Sequence, residues 1–197
     1  MINPNFVILG AFIQFLGALS YLIDTLKGKT KPNKASWFIW TLAPLTAFAA
    51  EVSKGVGIQS LMTFMVGFNP LLILIASFFN KKADWKLGKL DYICTALALA
   101  GIFLWAIIKD GNIAILFAIL ADALAAVPTI VKAYFYPETE NHWAYSVALI
   151  SAVITLLAID RWDFAHYGFP INVLVVCIIL VSLIKFKIGK KLKHLFS

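Results

Sequence analysis

Six stretches of this sequence contain no charged side chain: 1–23, 35–50, 55–80, 92–108, 141–159 and 164–184. A helix needs about 20 apolar residues, within a range of about 17–25, to cross the hydrocarbon core of a bilayer. Only 14% of the 197 residues are charged and 61% are hydrophobic, whereas a soluble domain has about 25% charged residues. A soluble core of this size has no room for so many apolar side chains, so the sequence predicts an integral membrane protein.

A seventh stretch, 113–134, is apolar except for Asp122 near its middle and Lys132 near its end. The predicted fold is therefore an all-α membrane protein with seven transmembrane helices, near 5–26, 36–53, 58–79, 90–108, 113–134, 142–160 and 168–186. The first residues lack the positive region of a signal peptide, so we expect the first helix to be retained.

The positive residues predict the orientation, because cytoplasmic loops of membrane proteins carry an excess of Lys and Arg. With the N-terminus outside, fourteen of the 17 positive residues fall on the cytoplasmic side, and only Lys54, Lys109 and Arg161 fall on the other. The sequence thus predicts an outside N-terminus, a basic cytoplasmic tail at 187–197 and a location in the cytoplasmic (cell) membrane. This placement of the charge favours contact with anionic lipid over nucleic-acid binding.

The two halves of the chain share a pattern at an offset of 105 residues, in which a lysine is followed by a proline and then an aromatic ring: Lys27, Pro32 and Trp40 against Lys132, Pro137 and Tyr145. The pattern predicts two three-helix repeats, which one extra helix between them keeps parallel. The predicted division is a first bundle at 1–80, a linker helix within 81–110 and a second bundle at 111–186.

One stretch of the second half resembles the PQ-loop pattern: Ala123-Leu-Ala-Ala-Val-Pro128-Thr129-Ile-Val-Lys132-Ala-Tyr134. A polar turn and a new helix with a serine at position 146 follow it, as in that pattern. The first half, 21–37, resembles the same unit with Ile23-Asp24 in place of the signature dipeptide. The resemblance implies the PQ-loop/SWEET-like superfamily of seven-helix membrane proteins, which includes carriers of sugars, amino acids and vitamin precursors and also cargo receptors.

Asp122 is the predicted functional centre, because a carboxylate in the middle of a membrane helix costs roughly 2.5–3.5 kcal/mol against lipid. Either it contacts solute and exchanges a proton during transport, or it joins two helices through a hydrogen bond. Thr129 lies on the same helix face as Asp122, and Pro128 is expected to kink that helix or free a carbonyl. Together with Pro44 in the second helix, these two residues are candidates for a hinge or gate.

Three amides at membrane depth are candidates for solute binding. SWEET-like carriers place an Asn from the third helix of each repeat in a central pocket, and the resemblance implies that role for Asn69 and Asn172. Gln14, midway along the first helix, would complete the ring of polar groups. The alternative for each amide is an interhelical hydrogen bond, worth about 0.6 kcal/mol on average.

Trp40 and Tyr145 occupy matching positions near the predicted inner ends of the second and sixth helices. They are candidates for stacking on a ring-shaped solute, and the alternative is that they anchor the helices at the membrane interface. Asp24 stands three residues before Lys27, so it is expected either in a surface ion pair or in a gate.

These features favour a transporter of a small polar solute, such as a sugar, a nucleoside or an amino-acid-like molecule, that works by alternating access with proton coupling at Asp122. The alternative is a receptor or chaperone of the same fold that binds a peptide or protein without transport. No enzyme, cofactor or metal motif is found, and the lack of a lysine in 169–184 argues against a retinal protein. The expected partners are the solute, the lipid bilayer and protons, and a homo-oligomer stays open.

Overall fold

A computed structural model describes residues 2–79, 86–108 and 110–189, and these residues fold as helices without strands. The helices are α1 (Phe6–Leu26), α2 (Lys34–Ser53), α3 (Ser60–Phe79), α4 (Lys89–Ile108), α5 (Gly111–Phe135), α6 (His142–Leu157) and α7 (Phe164–Ile184), with a short 3₁₀ turn at Pro137–Thr139 before α6. Most of the predicted basic tail, from 190 onwards, and the predicted loop charges at 81, 82 and 109 lie outside the described residues.

Six of these helices, all except α6, are long and apolar enough to cross a membrane. They have 20 to 25 residues each. The sixth, α6, is apolar but has only 16 residues. The all-α class is therefore confirmed, and the helices are compatible with a multi-pass membrane protein.

The boundaries of α6 and α7 differ from the predicted ones for a local reason. Helix α6 ends at Leu157 rather than near 160, and the amide of Ala158 closes its last turn on the carbonyls of Ile154 and Thr155. Helix α7 begins at Phe164 rather than near 168, because the Asp163 side chain accepts a hydrogen bond from the His166 amide. A side chain that satisfies a free amide in this way fixes the start of a helix.

Small residues line the buried face of α1 and let α6 approach closely. Gly10, Gly17 and Ala18 are all buried on this face, and small side chains at such an interface let two backbones pack with good van der Waals contact. At Gly17 the approach is tightest, because a Cβ added there would lie 2.0 Å from Cγ2 of Val147 on α6.

The helices pack in two corresponding sets. Helix α3 packs against both α1 and α2, and α7 packs against both α5 and α6. The two sets meet mainly through α1 with α6 and α2 with α5, with smaller contacts of α3 to α6 and of α7 to α2 and α3. Helix α4 packs mainly on α5 and also touches α2. Six helices therefore surround the centre of the molecule, and α4 lies on one flank.

The Gly17→Ala variant is expected to be destabilised by about 1–3 kcal/mol, because the added methyl group overlaps Val147 and forces α1 and α6 apart. Trimming the opposing side chain in a Gly17→Ala/Val147→Ala double variant should recover part of that loss. The thermal unfolding midpoint of the purified protein in detergent measures both effects. A Gly17→Ala protein as stable as the parent would contradict the close α1–α6 contact.

Candidate functional site

A cavity of about 80 Å³ lies at the centre of the bundle. Side chains from α1, α2, α3, α5, α6 and α7 line it, and most of them are apolar. Small-molecule sites in proteins are typically concave and apolar, with a few polar groups placed in the wall. The polar or aromatic side chains of this wall are Gln14, Trp37, Trp40, Asn69, Asp122 and Tyr145.

Two amides face this cavity without a protein partner. Asn69 and Gln14 are each 4% exposed. Neither the Nδ2 nor the Oδ1 atom of Asn69 has a hydrogen-bond partner among the described residues, and the same holds for Oε1 of Gln14. Buried polar atoms in proteins are almost always satisfied, so atoms without a protein partner that line a cavity mark a place for a ligand or an ordered water.

Asn172 has a different position from the one predicted for it. It is not part of the cavity wall, and its Nδ2 atom donates a hydrogen bond of 2.7 Å to Oδ2 of Asp122. Asp122, 3% exposed, does line the cavity. Asp122 was predicted either to contact solute or to join two helices through a hydrogen bond. In the structure it joins α5 to α7 through Asn172 and also faces the cavity.

Trp40 and Tyr145 are buried in the cavity wall rather than exposed at a helix end. Together with Tyr21 and Trp37 they form a group of packed rings, which we call the aromatic layer. Its ring centroids are 4.8 Å apart for Tyr21 and Trp37, 5.3 Å for Trp37 and Trp40, and 6.3 Å for Trp40 and Tyr145. Nε1 of Trp40 also donates a hydrogen bond to the main-chain carbonyl of Asp122 at 3.2 Å, which joins α2 to α5.

A buried ion pair lies directly behind the aromatic layer. Nζ of Lys132 is 2.5 Å from Oε1 of Glu140, and both side chains are 1% exposed. The hydroxyls of Tyr21 and Tyr145 donate hydrogen bonds to the other carboxylate oxygen at 2.7 and 3.2 Å. Lys132 also donates to the carbonyl of Lys31. This Lys132–Glu140 cluster joins α1, α5, α6 and the α1–α2 loop.

Asp24 lies near the end of α1, beside the α1–α2 loop, and the ion-pair partner predicted for it, Lys27, is wrong. Its nearest ion-pair partner is the exposed Lys29, with Nζ 3.9 Å from Oδ1, rather than Lys27. The stronger contact is a hydrogen bond of 2.6 Å from Nδ2 of Asn141 to Oδ2 of Asp24. Because Asn141 also caps the start of α6, Asp24 ties the end of α1 to the start of α6.

The residues predicted as hinges are buried, and none lines the cavity. Pro44 and Pro128 lie inside α2 and α5, which continue through them. Thr129 is 1% exposed, and its hydroxyl oxygen has no hydrogen-bond partner within the described part of the chain. The geometry gives these positions no contact with a bound solute.

Two sets of buried charges escaped the sequence analysis. From the sequence, Lys132 is one of the positive residues predicted on the cytoplasmic side, and Glu140 is not singled out. Glu51, 1% exposed, accepts a hydrogen bond of 3.0 Å from the Thr63 hydroxyl at Oε1, while its Oε2 atom has no partner among the residues described here. The available signal for Glu51 was its place within the predicted second helix, where a charged residue is rare.

The segment before α7 is an ordinary capped turn. Nε of Arg161 lies 2.8 Å from Oδ2 of Asp163, and Nδ1 of His166 lies 2.7 Å from Oδ1 of the same carboxylate. The hydrogen bond from His166, with a smaller contribution from Arg161, lowers the pKa of Asp163. Within the described ranges no three His, Cys, Asp or Glu side chains come together as a metal site.

Comparisons with protein-family models, with curated proteins and with solved structures give no match. The functional argument therefore rests on the geometry of the cavity and of the cluster behind it.

Proposed function

We propose that this chain is a multi-pass carrier of a small polar solute in the cytoplasmic membrane. The observation that carries the proposal is the Asn69 amide, which is buried, faces the central cavity and has no partner in the described protein. An amide left unsatisfied inside a folded protein costs about 1–3 kcal/mol. A polar solute that binds both of its atoms removes that cost, which gives the residue a function.

The packing of the helices supports an alternating-access mechanism with two three-helix bundles and a linker. Helix α3 packs against α1 and α2 in the same way that α7 packs against α5 and α6. If α1 corresponds to α5 and α2 to α6, the contact of α1 with α6 corresponds to the contact of α5 with α2, and both contacts are present. This correspondence supports two parallel repeats joined by α4, as in the PQ-loop/SWEET-like superfamily, in which two halves rock about a central site.

The Lys132–Glu140 cluster supports the same mechanism, because an alternating-access carrier must close its cavity on one side at a time. In this proposal, the cluster and the aromatic layer form the gate that is closed on the side of the α1–α2 loop. The α1–α2 loop carries three of the lysines of the proposed cytoplasmic side, Lys27, Lys29 and Lys31. The structure would then represent a state that is closed towards the cytoplasm.

Uptake into proteoliposomes tests the proposal. The purified protein is reconstituted, supplied with a mixture of sugars, nucleosides, amino acids and small amines, and the vesicle contents are identified by mass spectrometry. At least one solute should accumulate above protein-free vesicles, and Gln14→Leu should lower its rate about tenfold or more, because a lost polar contact of about 1.4 kcal/mol changes a rate constant tenfold. Phe12→Leu, at a side chain 58% exposed on the outside of α1, is the matched control.

The same experiment separates a carrier from a receptor. A receptor of this fold would bind a partner without moving it, so no solute would accumulate while binding remained measurable. The apolar wall and the volume of the cavity suit a small molecule better than a peptide chain. Accumulation that is equal in the parent and in Gln14→Leu would show that the cavity is not the transport site.

A further inference from the structure

We infer that the solute is a small organic cation, an ammonium compound, which exchanges with a proton on the Asp122 carboxylate. The inference rests on the proposed function and names the substrate class of the same site. It is carried by the formal charges and the ring chemistry of the cavity wall.

Asp122 is the one formally charged residue among the described residues that line the cavity. It is 3% exposed, and the hydrogen bond that the structure gives its carboxylate comes from the neutral amide of Asn172. The buried cation on the same helix, Lys132, lies ten residues further along and is paired with Glu140. When Asp122 is ionised, the cavity therefore carries a net negative charge that its own wall does not neutralise.

The groups around Asp122 do not change this sign. Helix α7 contributes Cys177 to the wall and α6 contributes Tyr145, both of which are neutral at ordinary pH. Helices α1, α2 and α3 contribute Gln14, two tryptophans and Asn69, and α4 contributes no lining residue. The 3₁₀ turn packed on α5 is followed by Glu140, whose charge is paired with Lys132. Once Asp122 is ionised, the wall therefore repels an anionic solute and attracts a cationic one.

Rings complete a cation site. Trp37, Trp40 and Tyr145 line the same cavity as Asp122, and the negative face of an aromatic ring attracts an ammonium group. The two unsatisfied amides, Gln14 and Asn69, can bind a hydroxyl or a second polar group of the same molecule. A carboxylate beside aromatic faces suits an ammonium compound better than a sugar, which has no charge to neutralise.

The exchange at Asp122 balances in charge and in protons. The empty site holds a protonated carboxyl group, since a bare carboxylate in this wall would be costly. Binding of an ammonium ion releases that proton to water and leaves a carboxylate–ammonium pair, so one cation enters for each proton that leaves. A neutral solute would instead bind only while the carboxyl group keeps its proton.

The two substrate classes therefore predict opposite effects of pH. On the acid side of the Asp122 titration, the apparent dissociation constant of a cation should rise about tenfold for each unit by which pH falls, because one proton competes with it. A neutral solute that needs the protonated carboxyl group should bind equally well or better at low pH. The sign of the change identifies the class.

Choline and its neutral carbon isostere, 3,3-dimethylbutan-1-ol, are the compounds used for the test. Their binding to the full-length protein in detergent is measured by isothermal titration at several pH values between about 6 and 8. Choline should bind more tightly as pH rises and release protons on binding, and the alcohol should not. Asp122→Asn should abolish choline binding and its proton release. Asp110→Asn is the matched control, because an asparagine there can still cap α5 at its exposed N-terminus.

Each outcome decides the inference. Equal binding of the alcohol, choline binding that does not depend on pH, or choline binding that survives in Asp122→Asn would overturn it. The inference is also overturned if the parent protein binds none of three amines, which are choline, ethanolamine and cyclohexylamine. The proposed function stands apart from this result. If neutral solutes accumulate in the proteoliposomes, the carrier remains and its solute is not a cation, whereas no accumulation of any solute refutes the carrier itself.

Discussion

Replacing Lys132 with methionine is expected to destabilise the protein by about 3–5 kcal/mol, because removal of one partner leaves the other charge buried without compensation. Lys132 and Glu140 are each 1% exposed, so little water is available to solvate the remaining carboxylate. The tyrosine hydroxyls that donate to Glu140 soften the effect without supplying a positive charge. Lys132 also holds the carbonyl of Lys31, so its loss releases the α1–α2 loop.

A double-variant cycle isolates the ion pair from the rest of the cluster. Lys132→Met/Glu140→Gln removes both charges and keeps an oxygen that can accept from Tyr21, so most of the lost stability should return. The matched control is Lys29→Met. Its ion pair with Asp24 has a length of 3.9 Å and its side chain is 67% exposed, so the change should be below about 1 kcal/mol.

The measurement is the free energy of unfolding in mixed micelles, with the thermal midpoint as a second reading. A Lys132→Met protein no less stable than Lys29→Met would show that the Lys132–Glu140 contact contributes nothing to the fold. Failure of the double variant to recover stability would instead show that the loop contact of Lys132, rather than its charge, is what matters.

The positions of the helices could be predicted from the sequence because they depend on a bulk property. Stretches without charge and of membrane length must be helices, since a helix satisfies its own backbone groups in lipid. The ends of α6 and α7 were less predictable. They depend on single hydrogen bonds, such as the one that Asp163 accepts from the His166 amide, and the hydropathy of a stretch does not report such bonds.

The cavity residues were partly predictable for a similar reason. A polar group at membrane depth needs either a cavity or a partner, which singles out Gln14, Asn69 and Asp122 from the sequence alone. The sequence does not say which of the two applies. Asn69 on α3 and Asn172 on α7 both lie beside or near a proline, yet one faces the cavity and the other binds Asp122.

Lys132 shows why the Lys132–Glu140 cluster could not be predicted from the sequence. Its position near the end of α5 is that of an ordinary lysine at the membrane surface, and such residues are usually solvated. Its burial depends on Glu140, eight residues later, which follows the 3₁₀ turn and returns over the end of α5. A pair of this kind is set by the path of a loop, which the periodicity of the helices does not predict.

Asn69→Leu is expected to raise stability and to weaken solute binding at the same time. The amide of Asn69 has no partner among the described residues, so an apolar side chain of similar size should stabilise the fold by about 1–3 kcal/mol, the cost of a buried unsatisfied group. Solute affinity should fall about tenfold or more, since about 1.4 kcal/mol corresponds to a factor of ten and two hydrogen bonds are lost.

Asn33→Leu is the matched control for this variant, because Asn33 is equally buried but fully engaged. Its Oδ1 atom accepts from the amides of Ala35 and Ser36 at 3.1 and 3.3 Å, and its Nδ2 atom donates to Asp91. Loss of the helix cap alone should cost about 1 kcal/mol. The same chemical change should thus stabilise the protein at one position and destabilise it at the other.

The combination of outcomes at Asn69 distinguishes a binding residue from a structural one. A structural amide that holds two helices together would lose stability in Asn69→Leu, as Asn33→Leu does, and binding would fall only with the folded fraction. A residue kept for its ligand shows the reverse, because the free protein bears the cost of the unsatisfied amide and the solute removes it. Unfolding midpoints of both variants, measured with and without the solute found by uptake, separate the two cases. Increased stability with unchanged affinity would refute the place of Asn69 in the binding site.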